Sequence, residues 1–102
     1  MIAEEAAEVR PRSDLVDPRG LAVTGYRLDA EGTELQVHYT GGTEHCFGLA
    51  QASVAPDGEA LRVTVAEGRL PGIDDACEAI GVPKFVTLRL DEPLIVQAAF
   101  DT

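Results

Sequence analysis

The chain of 102 residues has no tryptophan, a single lysine (Lys84), two cysteines and only five aromatic residues of the Phe/Tyr type. Each shortage excludes something. Without aromatics in number, the core must be built from Val, Leu, Ile and Ala. With 18 acidic against 8 basic residues and a net charge of −10, no basic cluster exists to neutralise phosphates, so nucleic acid is not expected as a partner. The same balance disfavours docking on an anionic membrane surface. No apolar run approaches the ~18 residues that a membrane helix requires, so no membrane span is expected. The N-terminus has acids where a signal peptide carries basic residues, and no apolar segment follows. The chain is therefore cytoplasmic by default, and exported if its two cysteines are paired. At this length one domain is expected, burying only about 60–65% of its unfolded surface, so its stability margin is thin.

What is present is a β pattern. Leu35, Val37 and Tyr39 alternate with Gln36 and His38, the signature of a half-buried strand. Leu61, Val63 and Val65 alternate with Arg62 and Thr64, and Val86, Leu88 and Leu90 with Thr87 and Arg89. Near the end, Leu94, Val96, Ala98 and Phe100 share a face. Residues 21–28 and 47–54 are less regular. In the first, Leu21 and Val23 differ in parity from Tyr26 and Leu28, and a β-bulge at Gly25 restores the face. Turn chemistry separates the runs: Asp29-Ala30-Glu31-Gly32, Pro56-Asp57-Gly58 and Asp91-Glu92-Pro93. Such short links imply antiparallel neighbours. Two longer connections, 40–46 and 68–81, read as passages between sheets. Within the second, residues 74–80 suit a helical turn or the start of a strand. The fold expected over residues 19–102 is all-β: a small antiparallel β-sandwich of six or seven strands, immunoglobulin-like in layer plan, with a partly open barrel second. Residues 1–18, rich in acids and broken by Pro11 and Pro18, are expected to form a flexible, disordered arm.

The cysteines, Cys46 and Cys77, lie on the two long connections. A disulfide, a metal site and a redox site each require them to meet. A bridge would close a loop worth roughly 3–4 kcal/mol in the chain-entropy model, and two buried thiols are the reading for a reducing cytosol. The metal alternative takes His45, Cys46 and Cys77 as ligands for zinc or copper, with His38 or Glu44 as a fourth. Its spacing is poor, with no C-x2-C or H-x3-H pair. His38 is expected to be solvated on a strand's polar face, and His45 to be a loop residue. A thiol enzyme is disfavoured. In an extended segment His45 and Cys46 point to opposite faces, and Glu44, Asp74, Asp75 and Glu78 make the surroundings acidic, which works against a thiolate. Asp74, Asp75 and Glu78 lack the oxygen spacing of a calcium loop, and Asp74 reads more simply as a helix N-cap. Gly41-Gly42 is a turn rather than a phosphate loop, since no Lys follows. Ser13 and Ser53 sit in no nucleophile-elbow setting.

Several strings taken together carry a resemblance: Tyr39-Thr40-Gly41-Gly42, Cys46-Phe47-Gly48-Leu49, Val63-Thr64-Val65, Glu67-Gly68, Ala76-Cys77 and Leu90-Asp91-Glu92-Pro93-Leu94. In order and spacing they resemble a group of small actinobacterial β-rich proteins of unassigned function, many of them exported or lipid-anchored, across about residues 20–95. The resemblance implies a compact β domain whose two cysteines pair, and it lends no catalytic residue. The chain departs from that pattern at residues 81–85 and at its end.

The function expected is a non-catalytic binding or interaction module, acting without a cofactor on another protein, as a monomer or homodimer. Loops on a rigid sandwich are where recognition resides. Its binding residues are expected on the long connections: Gly41, Gly42, Glu44, His45, Arg69, Asp74 and Asp75.

Overall fold

The period-two runs over 35–39, 61–65 and 86–89 lie in strands in the computed structural model, which describes residues 6–57, 60–73, 77, 80–90 and 99–101; most of the run over 94–100 lies outside the described residues. In chain order the strands are β1 (Ala7–Glu8), β2 (Val16–Leu21), β3 (Val23–Leu28), β4 (Glu34–Gly41), β5 (Phe47–Asp57), β6 (Ala60–Arg69), β7 (Val82–Arg89) and β8 (Ala99–Asp101). One sheet has the order β1-β7-β4-β3; the other has the order β2-β6-β5, with β8 also beside β6. No described residue is helical. The β-sandwich expected from the alternation is the fold that forms.

Alternation decides the core. Leu35, Val37 and Tyr39 of β4, Val86 of β7, Leu49 of β5 and Val63 and Val65 of β6 are the buried cluster between the sheets. Cross-strand partners on the inner face, such as Val37 with Val86 and Val54 with Val63, share its apolar character. The β3–β4 hairpin is set by Asp29. Its Oδ1 accepts the backbone N–H groups of Thr33 at 2.8 Å and Glu34 at 3.1 Å, and Gly32 takes a φ of 74° that few other residues tolerate. Those backbone donors, that of Glu34 foremost, hold the Asp29 carboxyl below its ordinary range. The two long connections do pass between sheets, β4 to β5 and β6 to β7.

Three expectations need correction. Residues 21–28 do not form one strand. Leu21 ends β2 opposite Val65, and Val23 opens β3 opposite Tyr39, so the chain changes sheet at Ala22. The bulge survives, one residue early, between Val23 and Gly25. The last two strands are not antiparallel neighbours, because β8 runs parallel to β6. Residues 91–98, which hold the expected Asp91-Glu92-Pro93 turn, lie outside the described residues, as do Gly58 and most of 74–80.

The third correction concerns the supposed arm over residues 1–18. From Ala6 onward it is laid along both sheets. Ala7 and Glu8 pair in parallel with Lys84 and Phe85, and the Val9 N–H reaches the Phe85 carbonyl at 2.8 Å. The Arg12 N–H then bonds the Leu49 carbonyl at 2.9 Å, and Val16 pairs with Arg69 on the far side of β6. Between those points Leu15 lies over Gly48 and Gly68, which face each other in the β5–β6 ladder. An isolated segment lacks backbone partners, whereas open sheet edges supply them.

The strap depends on the glycine floor. A Cβ at Gly68 would stand 2.9 Å from both Leu15 Cβ and the Val16 carbonyl, whereas at Gly48 it would meet Leu15 methyls at 3.4 Å. Gly68→Ala should therefore destabilise by ~1–3 kcal/mol through overpacking. Gly48→Ala should be close to neutral, its mild contact offset by the entropy removed from the unfolded chain. Urea denaturation of the two variants measures the contrast, and equal losses would show that the strap is not seated on Gly68.

Candidate functional site

The connections at residues 42–46 and 70–81 meet at one end of the sandwich. The first is a tight turn: the Thr43 carbonyl accepts the N–H groups of Cys46 at 3.1 Å and Phe47 at 2.9 Å. The second is held to it twice. The Leu70 N–H donates to the Cys46 carbonyl at 2.8 Å, and Cys46 and Cys77 form a disulfide with their Cα atoms 6.1 Å apart. Cys46 is fully buried. Arg69 directs Nη2 to Cys77 Sγ at 3.6 Å. The bridge closes a separation of 31 residues, which contributes about 3–4 kcal/mol by restricting the unfolded chain.

Beneath this end lies a buried ion pair. Lys84 Nζ on β7 is 2.7 Å from Glu67 Oε2 on β6, with the two side chains only 1% and 7% exposed. The pair joins one sheet to the other. Glu67 Oε1 accepts the Gly42 N–H, also at 2.7 Å, so both carboxylate oxygens are engaged, one by each neighbour. Strand parity explains the placement. Glu67 continues the inner face of Leu61, Val63 and Val65, and Lys84 continues that of Val86 and Leu88. A charge forced inside must find a partner. Gly41 fits for the same reason, since a Cβ there would run into the Glu67 carboxylate. Tyr39, opposite Lys84 in the ladder, is 1% exposed, and its hydroxyl has no hydrogen-bond partner. Burial, then the Glu67 charge, pushes the phenol well above its ordinary range. Chemically this network neutralises charge and locks the end of β4; Lys84 Nζ is too deeply covered to meet a ligand.

Above it opens a cleft of about 590 Å³, with Leu21, Phe47 and Ile80 as apolar walls and Glu67 and Arg69 as its charged groups. Ile80 is 53% exposed. Of the residues expected to bind, Gly41 and Gly42 line this cleft and Arg69 lies within it. Glu44 and His45 are exposed on the adjoining turn. Asp74 and Asp75 lie outside the described residues. The disulfide occupies both sulfurs on which the His45, Cys46 and Cys77 metal alternative depended. Among the described residues no group of three or more His, Cys, Asp or Glu is placed to hold a metal ion.

His38 is a correction. Expected on a solvated face, it is 5% exposed, because Phe85 stands opposite it in the ladder and stacks on the ring at 5.0 Å. Its Nε2 lies 3.3 Å from Gln36 Oε1, and its Nδ1 is buried without a partner. Burial, aided by the Arg27 charge, lowers its pKa from the ordinary 6.5.

A scan against protein-family models finds no match, and no curated protein or solved structure matches the chain.

Two outcomes follow from this geometry. Lys84→Met leaves Glu67 buried and unpaired, and should cost ~3–5 kcal/mol. Adding Glu67→Leu should recover much of that loss, short of the ~1–3 kcal/mol penalty for the orphaned Gly42 N–H. A double-mutant cycle by urea denaturation measures the coupling, and additive single losses would refute it. For His38 the folded pKa is depressed, so its contribution is present above the unfolded value of 6.5 and is lost as pH falls through the folded value. Stability should decline as the pH falls from 6.5 to the folded value and level off below it, and His38→Phe should flatten the decline; an unchanged slope in the variant would assign it to other groups.

Proposed function

We propose that this domain is a non-catalytic recognition module for another protein, built for oxidising surroundings and making contact through its disulfide end. One observation carries the reading. Two exposed connections from different sheets are fixed to each other by Cys46–Cys77 and by the Leu70–Cys46 hydrogen bond, so that Glu44, His45 and Ile80 are displayed on a shared, rigid rim. A rim already ordered before contact loses little conformational entropy on binding. A half-exposed Ile80, beside Leu21 and Phe47 in the cleft, supplies the apolar anchor that such surfaces use. The setting follows from the bridge, since disulfides persist where the medium is oxidising. The resemblance to exported proteins points the same way. An acidic surface supports a protein partner over nucleic acid.

The test is site-resolved cross-linking. A photoreactive residue at His45 should capture a discrete partner, while one at Glu31, in the hairpin at the other end of β4, should not. Unlabelled protein should compete the adduct away, and Ile80→Asp and prior reduction should each abolish it. Capture that is equal at both positions, or that persists in Ile80→Asp, would remove this end from the recognition surface.

A further inference from the structure

A two-sheet sandwich has open edges, and an edge strand offers unpaired backbone groups to any passing strand. Three of the edges here are guarded. On β2, Asp17, Pro18 and Arg19 are exposed, Asp17 takes a φ of 51°, and the pairing to β6 shifts register between Val16 and Arg19. On β3, the bulge after Val23 and the exposed Arg27 do the same work. The open side of β7 is covered at Lys84 and Phe85 by β1. Each is a recognised means of preventing strand addition.

β5 differs. Its ends are blocked: Leu49 already accepts the Arg12 N–H, the ladder shifts register after it, and Pro56 has no N–H to give. Between those stops, no described residue outside its own sheet pairs with 51–55. The sequence there is Gln-Ala-Ser-Val-Ala, within eleven consecutive residues (46–56) that contain no acidic or basic side chain. In a chain with 26 charged residues, 18 acidic plus 8 basic, such a run is conspicuous. Gln51, Ser53 and Ala55 are exposed, whereas Ala52 and Val54 are only half-buried against the core. An apolar inner face at the margin of the sandwich is thus left incompletely covered.

We infer that β5 is a self-association edge. Two copies pair antiparallel through residues 51–55 about a two-fold axis at Ser53, which makes one continuous sheet of the two. The occupant is a second copy because this uncharged segment can face itself about a two-fold axis without setting like charges opposite each other. Gln51 meets the other copy's Ala55, Ala52 meets Val54, and Ser53 meets its own counterpart. The half-buried Ala52 and Val54 then complete each other's cover. No like charges come opposite, although on most of a surface carrying a net −10 they would. This surface is separate from the disulfide end, and the inference stands without the recognition role proposed there.

Sedimentation velocity across a concentration series reads it out. The full chain should exchange between monomer and dimer, and added salt should strengthen the dimer by screening the mutual acidic repulsion. Ser53→Lys sets two ammonium groups face to face and should raise the dissociation constant about tenfold or more. Thr64→Lys, on the neighbouring inner strand directly beside Ser53, should leave it unchanged and controls for folding. Under mild oxidation Ser53→Cys should form a covalent dimer, and Glu31→Cys should not. A monomer at every concentration, a dimer weakened by salt or untouched by Ser53→Lys, or equal cross-linking at Glu31 would each overturn the inference.

Discussion

The buried pairing of Glu67 with Lys84 is the contact on which the rest of this structure turns. It reaches from sheet to sheet by charge rather than by apolar packing. An ion pair removed from water tolerates little displacement, because each partner left alone carries most of its desolvation cost. The separation and stagger of β6 and β7 are therefore narrowly set near their disulfide ends. Aliphatic contacts among Leu35, Val37, Val65 and Val86 supply the bulk of the burial, but side chains of that kind fit several staggers about equally well. The pair selects one. Its consequences extend outward: the carboxylate excludes any side chain at position 41, and it takes the N–H of Gly42. The chain must leave β4 along one path, and that path delivers Cys46 to Cys77.

The disulfide and the strap then supply what the core is too small to provide. A domain of this size has a net stability of only a few kcal/mol to spare, so a cross-link of about 3–4 kcal/mol is of the same order as the whole margin. The strap acts on the other face. Leu15 covers the glycine pair of β5 and β6 while Ala7, Glu8 and Val16 extend the two sheets at opposite places. One segment thus ties both layers together, as a disulfide between the sheets would, without any covalent bond.

Much of this was legible in the sequence, and the reasons are particular. Alternation in residues 35–39 and 61–65 identified the central strands because burial on one face imposes a period of two. Asp29 with Gly32 marked a hairpin because both act locally. The paired cysteines were foreshadowed by their positions on the two connections between sheets. What escaped detection was non-local. Glu67 and Lys84 share the parity of their buried neighbours, so the signal was present; read as ordinary charges, they belonged to the surface, since nothing in either strand alone reveals the other. Phe85 concealed His38 in the same way, through a ladder partner distant in sequence. The arm was misread because its hydrogen-bonding partners lie in strands far along the chain, and its own composition is that of a disordered tail.

The same asymmetry separates the two ends of the molecule. At the hairpin end, the turn is held mainly by Asp29 and its local backbone bonds, with one bond from afar, the Leu90 N–H to the Thr33 carbonyl at 2.8 Å. At the other end, residues 41–46 are anchored by Glu67 from β6, by Cys77 and by Leu70, three partners all distant in sequence. Local bonds open singly and at small cost, whereas several anchors distant in sequence must break together, so the disulfide end belongs to the most stable part of the fold. Loops are ordinarily the least stable parts of a β-sandwich. Here a loop has been given the support of a core, including the chain's sole lysine, its only pair of cysteines and a glycine that admits a carboxylate. A solvent-facing turn meant only to connect two strands requires none of these, and the investment is intelligible if the shape of that rim, rather than the chemistry of any one side chain on it, is what a partner meets.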